Sequence, residues 1–212
     1  NCKYSDITGF SFHPVKPITT GEGGMAVTND EQLIARMRLM SSHGITRDQK
    51  EMTHMPDGPW YYQQITLGFN YRMTDIQAAL GLSQLDRLDQ FLEKRNHIAN
   101  AYDEEFQSLP LQLPPRSSKI FSSNHLYIVR LKSKALKHSS VFEALMEQGI
   151  GVNLHYIPVH LQPYYQKFGF CEGDFPEAEL YYQEAISIPI HTKLSVTDIK
   201  AITDSVKNTL EI

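Results

Sequence analysis

Lys16 stands in the run Ser11-Phe12-His13-Pro14-Val15-Lys16-Pro17-Ile18-Thr19-Thr20-Gly21-Glu22-Gly23-Gly24. Each proline fixes its own φ, and Pro17 also restricts the lysine before it. A lysine on such a stiff, largely apolar stretch differs from one on a solvated helix or a loose tail. It can be held at one point and partly desolvated, which are the conditions for an amine that forms a Schiff base. The ordinary alternative is a surface lysine. Ser11 lies five residues earlier, and its ordinary reading is a satisfied core hydroxyl.

A second group lies at His155, Tyr156 and His160, in Val152-Asn153-Leu154-His155-Tyr156-Ile157-Pro158-Val159-His160. Tyrosine and histidine can stack on a flat ligand and still present a polar tip. The two histidines also invite a metal reading. Their spacing of five is not the i, i+4 of a zinc helix, Pro158 interrupts a regular helix, and no third ligand is evident. No metal is expected. Tyr164, Tyr165 and Phe168 suit core or lid packing. Gly21-Glu22-Gly23-Gly24 lacks the lysine and serine of a phosphate loop and reads as a turn between strands.

These groups need elements to position them. Ile7 to Phe12 and Met25 to Thr28 are expected as strands on either side of the lysine loop. A helix should start near Asn29 or Asp30, with Asn29 as its N-cap, and carry Leu33, Ile34, Met37 and Met40 on one face. Residues 43–69 show little periodicity, and His13 and Trp60 could line a substrate side. Thr74-Asp75-Ile76-Gln77 is a capping box. The helical pattern after it runs to about Leu109, with a break expected between Leu85 and Asp89. Beyond Pro110, Pro114 and Pro115, strands are expected at Asn124 to Lys132, Gly151 to Leu154 and Ser187 to Ile190. Helices are expected at Ser139 to Gln148, ending on Gly149, and from Ser195 to Leu210, capped by Ser195 or Thr197. The division expected is 1–87 and 88–212, the second part being a small α+β layer.

Composition excludes some classes. The 212 residues are 41% hydrophobic and 21% charged, with a net charge of −4 and scattered basic residues. That argues against nucleic-acid binding. No apolar run is long enough to cross a membrane. Cys2 and Cys171 form neither a disulfide framework nor a metal motif, so a cytoplasmic setting is expected. The chain opens at Asn1-Cys2-Lys3-Tyr4, close to its lysine, and is expected to be the C-terminal part of a longer polypeptide.

The lysine run resembles the lysine signature of the DegT/DnrJ/StrS family of pyridoxal-phosphate sugar aminotransferases. Four further blocks carry the resemblance in order. They are Gly68-Phe69-Asn70-Tyr71-Arg72-Met73-Thr74-Asp75-Ile76-Gln77-Ala78-Ala79-Leu80-Gly81, Ser123-Asn124-His125-Leu126-Tyr127, the 152–160 run, and Ile186-Ser187-Ile188-Pro189-Ile190-His191. The resemblance implies an α/β, fold-type-I transferase, of which this chain holds the C-terminal part of the large α/β/α domain and a small α+β C-terminal domain. It implies pyridoxal 5'-phosphate held by Lys16, with Lys16 also moving protons, and Ser11 and Asn70 at the phosphate. Asn70 would serve the other subunit of a homodimer. Arg72, His155, Tyr156 and His160 would face a nucleotide-sugar, although Arg72 could equally form a structural ion pair. The implied reaction moves an amino group, from glutamate, to a 4-keto-6-deoxy UDP-sugar. A 3-keto-sugar aminotransferase and a non-catalytic interaction module are the alternatives. The family's dehydratases carry histidine in place of the lysine. The carboxylate for the pyridine nitrogen is expected outside this chain, so that the piece alone would be inactive.

Overall fold

The computed structural model describes residues 2–133 and 135–210. The chain divides into two compact units, residues 1–88 and 89–212.

The first unit opens with β1 (Thr8–Ser11) and β2 (Gly24–Val27), paired antiparallel with Ser11 opposite Gly24. The two strands therefore close the base of the lysine loop. Helix α1 (Glu31–Ser41) follows, and Asp30 caps it: one carboxylate oxygen accepts from the backbone N–H groups of Gln32 (2.7 Å) and Leu33 (3.0 Å). The cap is one residue later than expected. Asn29 instead donates its amide to the Cys2 carbonyl, whereas the Asp30 carboxylate meets the positive end of the helix. Residues 43–69 hold β3 (Ile45–Thr46) and β4 (Gln63–Gln64), an antiparallel pair that ties the ends of a long excursion.

Helix α2 (Asp75–Leu85) starts at the expected capping box, and α3 (Leu88–Phe106) follows after the break expected there. The turn is tight: Asp86 N–H donates to Leu82 and Arg87 N–H to Gln84. From α3 onward the second unit builds its own core. Arg95, Ile98, Ala99, Tyr102 and Phe106 form one buried stripe at helical spacing. A three-stranded antiparallel sheet lies in the same unit, made of β5 (Leu111–Gln112), β6 (Tyr127–Leu131) and β7 (Ala185–Ile188) in that order. Helices α4 (His138–Glu147), α5 (Pro163–Gln166), α6 (Pro176–Glu184) and α7 (Val196–Leu210) complete it, with a 3-10 turn at Val159–Leu161.

The expected strand at 151–154 is not formed. Asn153 alone bridges to Ser187, exchanging both backbone bonds (3.0 and 2.7 Å). The next N–H, of Leu154, is taken by the Asn153 side chain at 2.7 Å. A short polar side chain that bonds its neighbouring backbone ends the ladder after one rung. β7 starts at Ala185, not Ser187, and β5 was not expected. α4 ends as expected, with Gly149 at φ +79 and the Ile150 N–H returning to the Leu145 carbonyl. Ser195 caps α7: its Oγ accepts from Asp198 N–H, while the Asp198 carboxylate accepts from Ser195 N–H.

Tyr102, Tyr127 and Phe106 are fully buried. Tyr102 stacks on Phe106 (5.6 Å) and meets Tyr127 edge-on (5.1 Å). Such pairs contribute about 0.5–1.5 kcal/mol each beyond area burial. Their hydroxyls are not orphaned: Tyr102 donates to the Pro189 carbonyl and Tyr127 to Asp103. Burial pushes both phenols well above their ordinary range, and the Asp103 carboxylate adds to the effect on Tyr127.

Arg95 ties the segments that flank β6 and β7 together. Its Nη1 donates to the carbonyls of Asn124 (3.1 Å), His125 (3.3 Å) and Ile190 (2.9 Å), 29 to 95 residues away. Burial of the guanidinium lowers its pKa. Arg95→Met would leave three carbonyls without this donor and is expected to destabilise the unit by about 2–4 kcal/mol, whereas Lys200→Met on the surface should change stability little. Denaturant unfolding of the full-length polypeptide measures both.

Candidate functional site

In the first unit, the lysine loop is closed by its own backbone. His13-Pro14-Val15-Lys16 is a turn with Lys16 N–H donating to the His13 carbonyl (3.0 Å), and proline occupies the position that favours such a turn. The Phe12 carbonyl accepts from Thr20 N–H (3.1 Å) and from Thr19 Oγ1 (2.8 Å). Phe12 N–H donates to Gly23 (2.9 Å). Residues 13–18 are therefore a short excursion on a fixed base, and Lys16, half-buried, is within it.

Helix α2 holds that base from outside. Gln77 Nε2 donates to the Glu22 carbonyl (2.9 Å), and Gln84 Oε1 accepts from Thr19 N–H (3.1 Å). Between them Gly81 leaves room for Thr20: a Cβ there would lie 2.8 Å from Thr20 Cγ2. Positions 77, 81 and 84 share one face of the helix. On sequence alone, Thr74 and Gln77 read as a cap and nothing more. The signal it missed is that a capping glutamine uses its oxygen and leaves its NH2 for another partner.

Ser11 ends β1, exposed, and its Oγ accepts weakly from His13 N–H at 3.5 Å. His13 Nε2 lies 3.8 Å from Glu22 on the loop surface. Asn70 and Arg72 come from the extended piece after β4. Phe69 and Tyr71 stack on each other there (4.8 Å, 12°). Alternating residues of an extended chain point to opposite sides, so Asn70 and Arg72 share the other face. Both are exposed, and neither side chain has a hydrogen bond or ion pair among the described residues.

The backbone of this piece is seated on the end of α1. Phe69 N–H donates to Met40, His43 N–H to Phe69, and Tyr71 N–H to Ser41, all within 3.0 Å. Two glycines permit the approach. A Cβ on Gly68 would sit 2.2 Å from Gly44 N, and one on Gly44, at φ +68, 1.9 Å from the Thr66 carbonyl. Neighbouring residues fasten the excursion between β3 and β4. Buried Gln63 accepts from Thr53 N–H through Oε1 and donates toward His54 Nδ1, and His54 Nε2 meets the Tyr61 hydroxyl at 2.6 Å. Trp60 stays exposed at its rim.

In the second unit, the Asn153 rung delivers His155 to β7, where its Nδ1 is 2.7 Å from Ser187 Oγ. Tyr156 stands edge-on to His155 (4.7 Å) and is 72% exposed. His160 departs from the expectation that it reaches a ligand. It is only 7% exposed, its Nε2 bonds Glu179 at 2.7 Å, and its ring packs on Phe175. Glu179 also accepts from Gly173 N–H, so the pair fastens the 3-10 turn and the 169–175 loop to α6. Tyr164, Tyr165 and Phe168 contact one another but remain exposed, so they are not core. Among the described residues no group of three or more His, Cys, Asp or Glu is placed to hold a metal, and no helix is long and apolar enough to cross a membrane.

The profile described as the DegT/DnrJ/EryC1/StrS aminotransferase family matches residues 1–207. The UDP-4-amino-4,6-dideoxy-N-acetyl-beta-L-altrosamine transaminase of Campylobacter jejuni is 39% identical over 212 residues, 99% of this chain and 54% of that protein. The spore coat polysaccharide biosynthesis protein SpsC of Bacillus subtilis is 38% identical over 208 residues, 96% of this chain and 53% of that protein. Among solved structures, Helicobacter pylori PseC, an aminotransferase involved in the biosynthesis of pseudoaminic acid, superposes with a TM-score of 0.83 at 34% identity, covering 98% of this chain and 54% of that one. The PLP-form of Spr1654 from Streptococcus pneumoniae gives a TM-score of 0.88 at 32% identity, covering all of this chain and 53% of that one. The chain spans about half the length of the curated relatives it matches. Its fold is that of the fold-type-I aminotransferases.

Two outcomes follow from the geometry. Gly68→Ala should cost about 1–3 kcal/mol, because the added carbon meets backbone that cannot rotate away; thermal unfolding of the full-length polypeptide tests it. The His160 contact and the Gly173 amide hold Glu179 below the ordinary carboxylate range, against the opposing effect of burial. Its stabilisation is therefore present above about pH 4.3 and is lost as pH falls through the lower folded value. Glu179→Gln should be less stable than the parent at pH 7, with the gap closing below about pH 4. Denaturation midpoints across that range read the difference.

Proposed function

The chain belongs to the DegT/DnrJ/EryC1/StrS aminotransferase family, and from that premise we propose that the whole protein is a pyridoxal-phosphate-dependent aminotransferase that moves an amino group from glutamate to a 4-keto-6-deoxy UDP-sugar. The observation that carries this reading is Lys16 on a loop whose base is fixed at Phe12, Thr19, Thr20 and Glu22. The substrate class rests on likeness to the Campylobacter transaminase and to PseC, and it points to a role in pseudaminic acid synthesis.

The residues present suit the cofactor. A primary amine on a pinned loop is the group that takes an aldehyde carbon. The Ser11 hydroxyl and the Asn70 amide are neutral donors suited to phosphate oxygens. Pyridoxal phosphate, when bound, supplies a ring that withdraws electrons from the carbon losing its proton. Lys16 Nζ would hold the cofactor covalently and, once displaced by the amino donor, would take that proton as a free amine and return it as an ammonium. Stiffness at Pro14 and Pro17 keeps Nζ near its target between the two tasks, which lowers the entropic cost of each transfer.

Arg72 shares a face with Asn70 and would meet an anionic group of the substrate, a task that its fork of donors suits. His155, oriented by Ser187, and exposed Tyr156 would contact the nucleotide-sugar by stacking and through their polar tips. His160 would act at one remove, by holding the turn that follows them. Asn70 would serve a second copy of the chain, making the working form a homodimer. The substrates proposed imply a cytoplasmic setting.

The test is a visible spectrum of the full-length polypeptide with pyridoxal phosphate, parent against Lys16→Ala. The parent should show the lysine-linked absorbance band and the variant only free cofactor, with turnover of UDP-4-keto-sugar reduced by at least about 10³-fold. A band that persists in Lys16→Ala removes Lys16 from the role.

A further inference from the structure

The face of α2 beneath the lysine loop does more than begin a helix. Gln77 divides its side-chain amide between two tasks. Its Oε1 accepts from Thr74 N–H (3.0 Å) and Thr74 Oγ1 (3.0 Å), completing the capping box. That fixes which end is oxygen, and so leaves the NH2 aimed at the Glu22 carbonyl, 55 residues back in the chain (2.9 Å). The same carbonyl accepts from Thr20 Oγ1 (2.7 Å), so the helix and the loop's own lock converge on one atom. Two turns on, Gln84 Oε1 takes the Thr19 N–H, three residues from Lys16. Gly81 lets Thr20, buried between them, come down onto the helix. Pro17 then transmits the position of Thr19 toward Lys16 with one fewer free torsion.

We propose that Gln77 and Gln84 are positioning residues for the Lys16 amine: through the Glu22 carbonyl and the Thr19 N–H they set where Nζ can reach, and hence how fast it condenses with the cofactor's aldehyde, forming a C=N bond as the carbonyl oxygen leaves as water. This rests on the aminotransferase reading given above. The chemistry allows the roles to be separated. Gln77→Glu keeps both capping acceptors and places a carboxylate at the helix N-terminus, where it is favourable, but it loses the donor to Glu22. Gln84→Glu keeps the acceptor for Thr19 N–H, whereas Gln84→Leu removes it.

The experiment uses the cofactor-free full-length polypeptide. Hydrogen exchange by mass spectrometry follows the peptide covering residues 17–23. Pyridoxal phosphate is then added, its attachment at Lys16 is trapped with borohydride, and the adduct is measured by mass. Gln77→Glu and Gln84→Leu should exchange about 10-fold faster in that peptide and capture the cofactor about 10-fold more slowly, with an unchanged thermal midpoint. Gln84→Glu should match the parent in both. If Gln77→Glu and Gln84→Leu capture the cofactor at the parent rate while the parent labels Lys16, the proposal fails and the aminotransferase reading stands. If the thermal midpoint falls in step with capture, the glutamines are merely structural and the proposal fails. If the parent itself places no adduct on Lys16, the aminotransferase reading falls and takes the proposal with it.

Discussion

The Glu22 carbonyl is the point on which the lysine side of this protein depends. It closes the loop from within through Thr20 and from without through Gln77. An exposed loop of a dozen residues, left alone, would sample many conformations, at an ordering cost of roughly 1–2 kcal/mol per residue. Here prolines reduce that freedom in the unfolded chain as well as the folded one. Backbone bonds at Phe12 supply the remaining closure. The backbone that carries the amine is thereby pinned on both sides although its surroundings are half open.

The second unit reaches a similar end by other means. Its polar ties are buried, and they run from one helix to distant turns. Arg95 gathers the carbonyls of 124, 125 and 190, and Tyr102 takes that of 189. The end of β7 is therefore held from the same helix that supplies much of the core. Ser187, in the middle of β7, serves twice: its backbone forms the rung to Asn153, and its hydroxyl orients His155. Whatever His155 and Tyr156 contact is positioned by a strand that is buried along its whole length.

Much of the architecture was legible because local chemistry and tertiary structure agreed. The Thr74 cap, the turn near Leu85 and the Gly149 stop each depend on a few adjacent residues, and each forms where the sequence reading put it. The errors have a common cause, which is competition that spacing does not reveal. Asn153 spends its side chain on the next N–H, so a run that alternates like a strand makes one rung. Asp30 outcompetes Asn29 because charge meets the helix end. By sequence His160 groups with His155 and Tyr156, yet its partner Glu179 lies 19 residues further on, beyond any local pattern. The second use of Gln77 is of the same kind, since a partner 55 residues away leaves no periodic trace.

The approach of Gly68 to Gly44 constrains how such a sequence can drift. At each glycine the obstacle is the other segment's backbone, not a side chain, so no change at the partner position could make room for a Cβ. Compensating substitution, the usual route by which packed positions exchange residues, is closed here. The excursion between β3 and β4 is under no such restriction. Its ends are already joined, and lengthening a loop with fixed ends costs only about 0.6 kcal/mol per doubling. The same clamp that freezes two positions therefore leaves the stretch carrying Trp60 open to insertion, so this rim can be remodelled without moving Asn70 or Arg72.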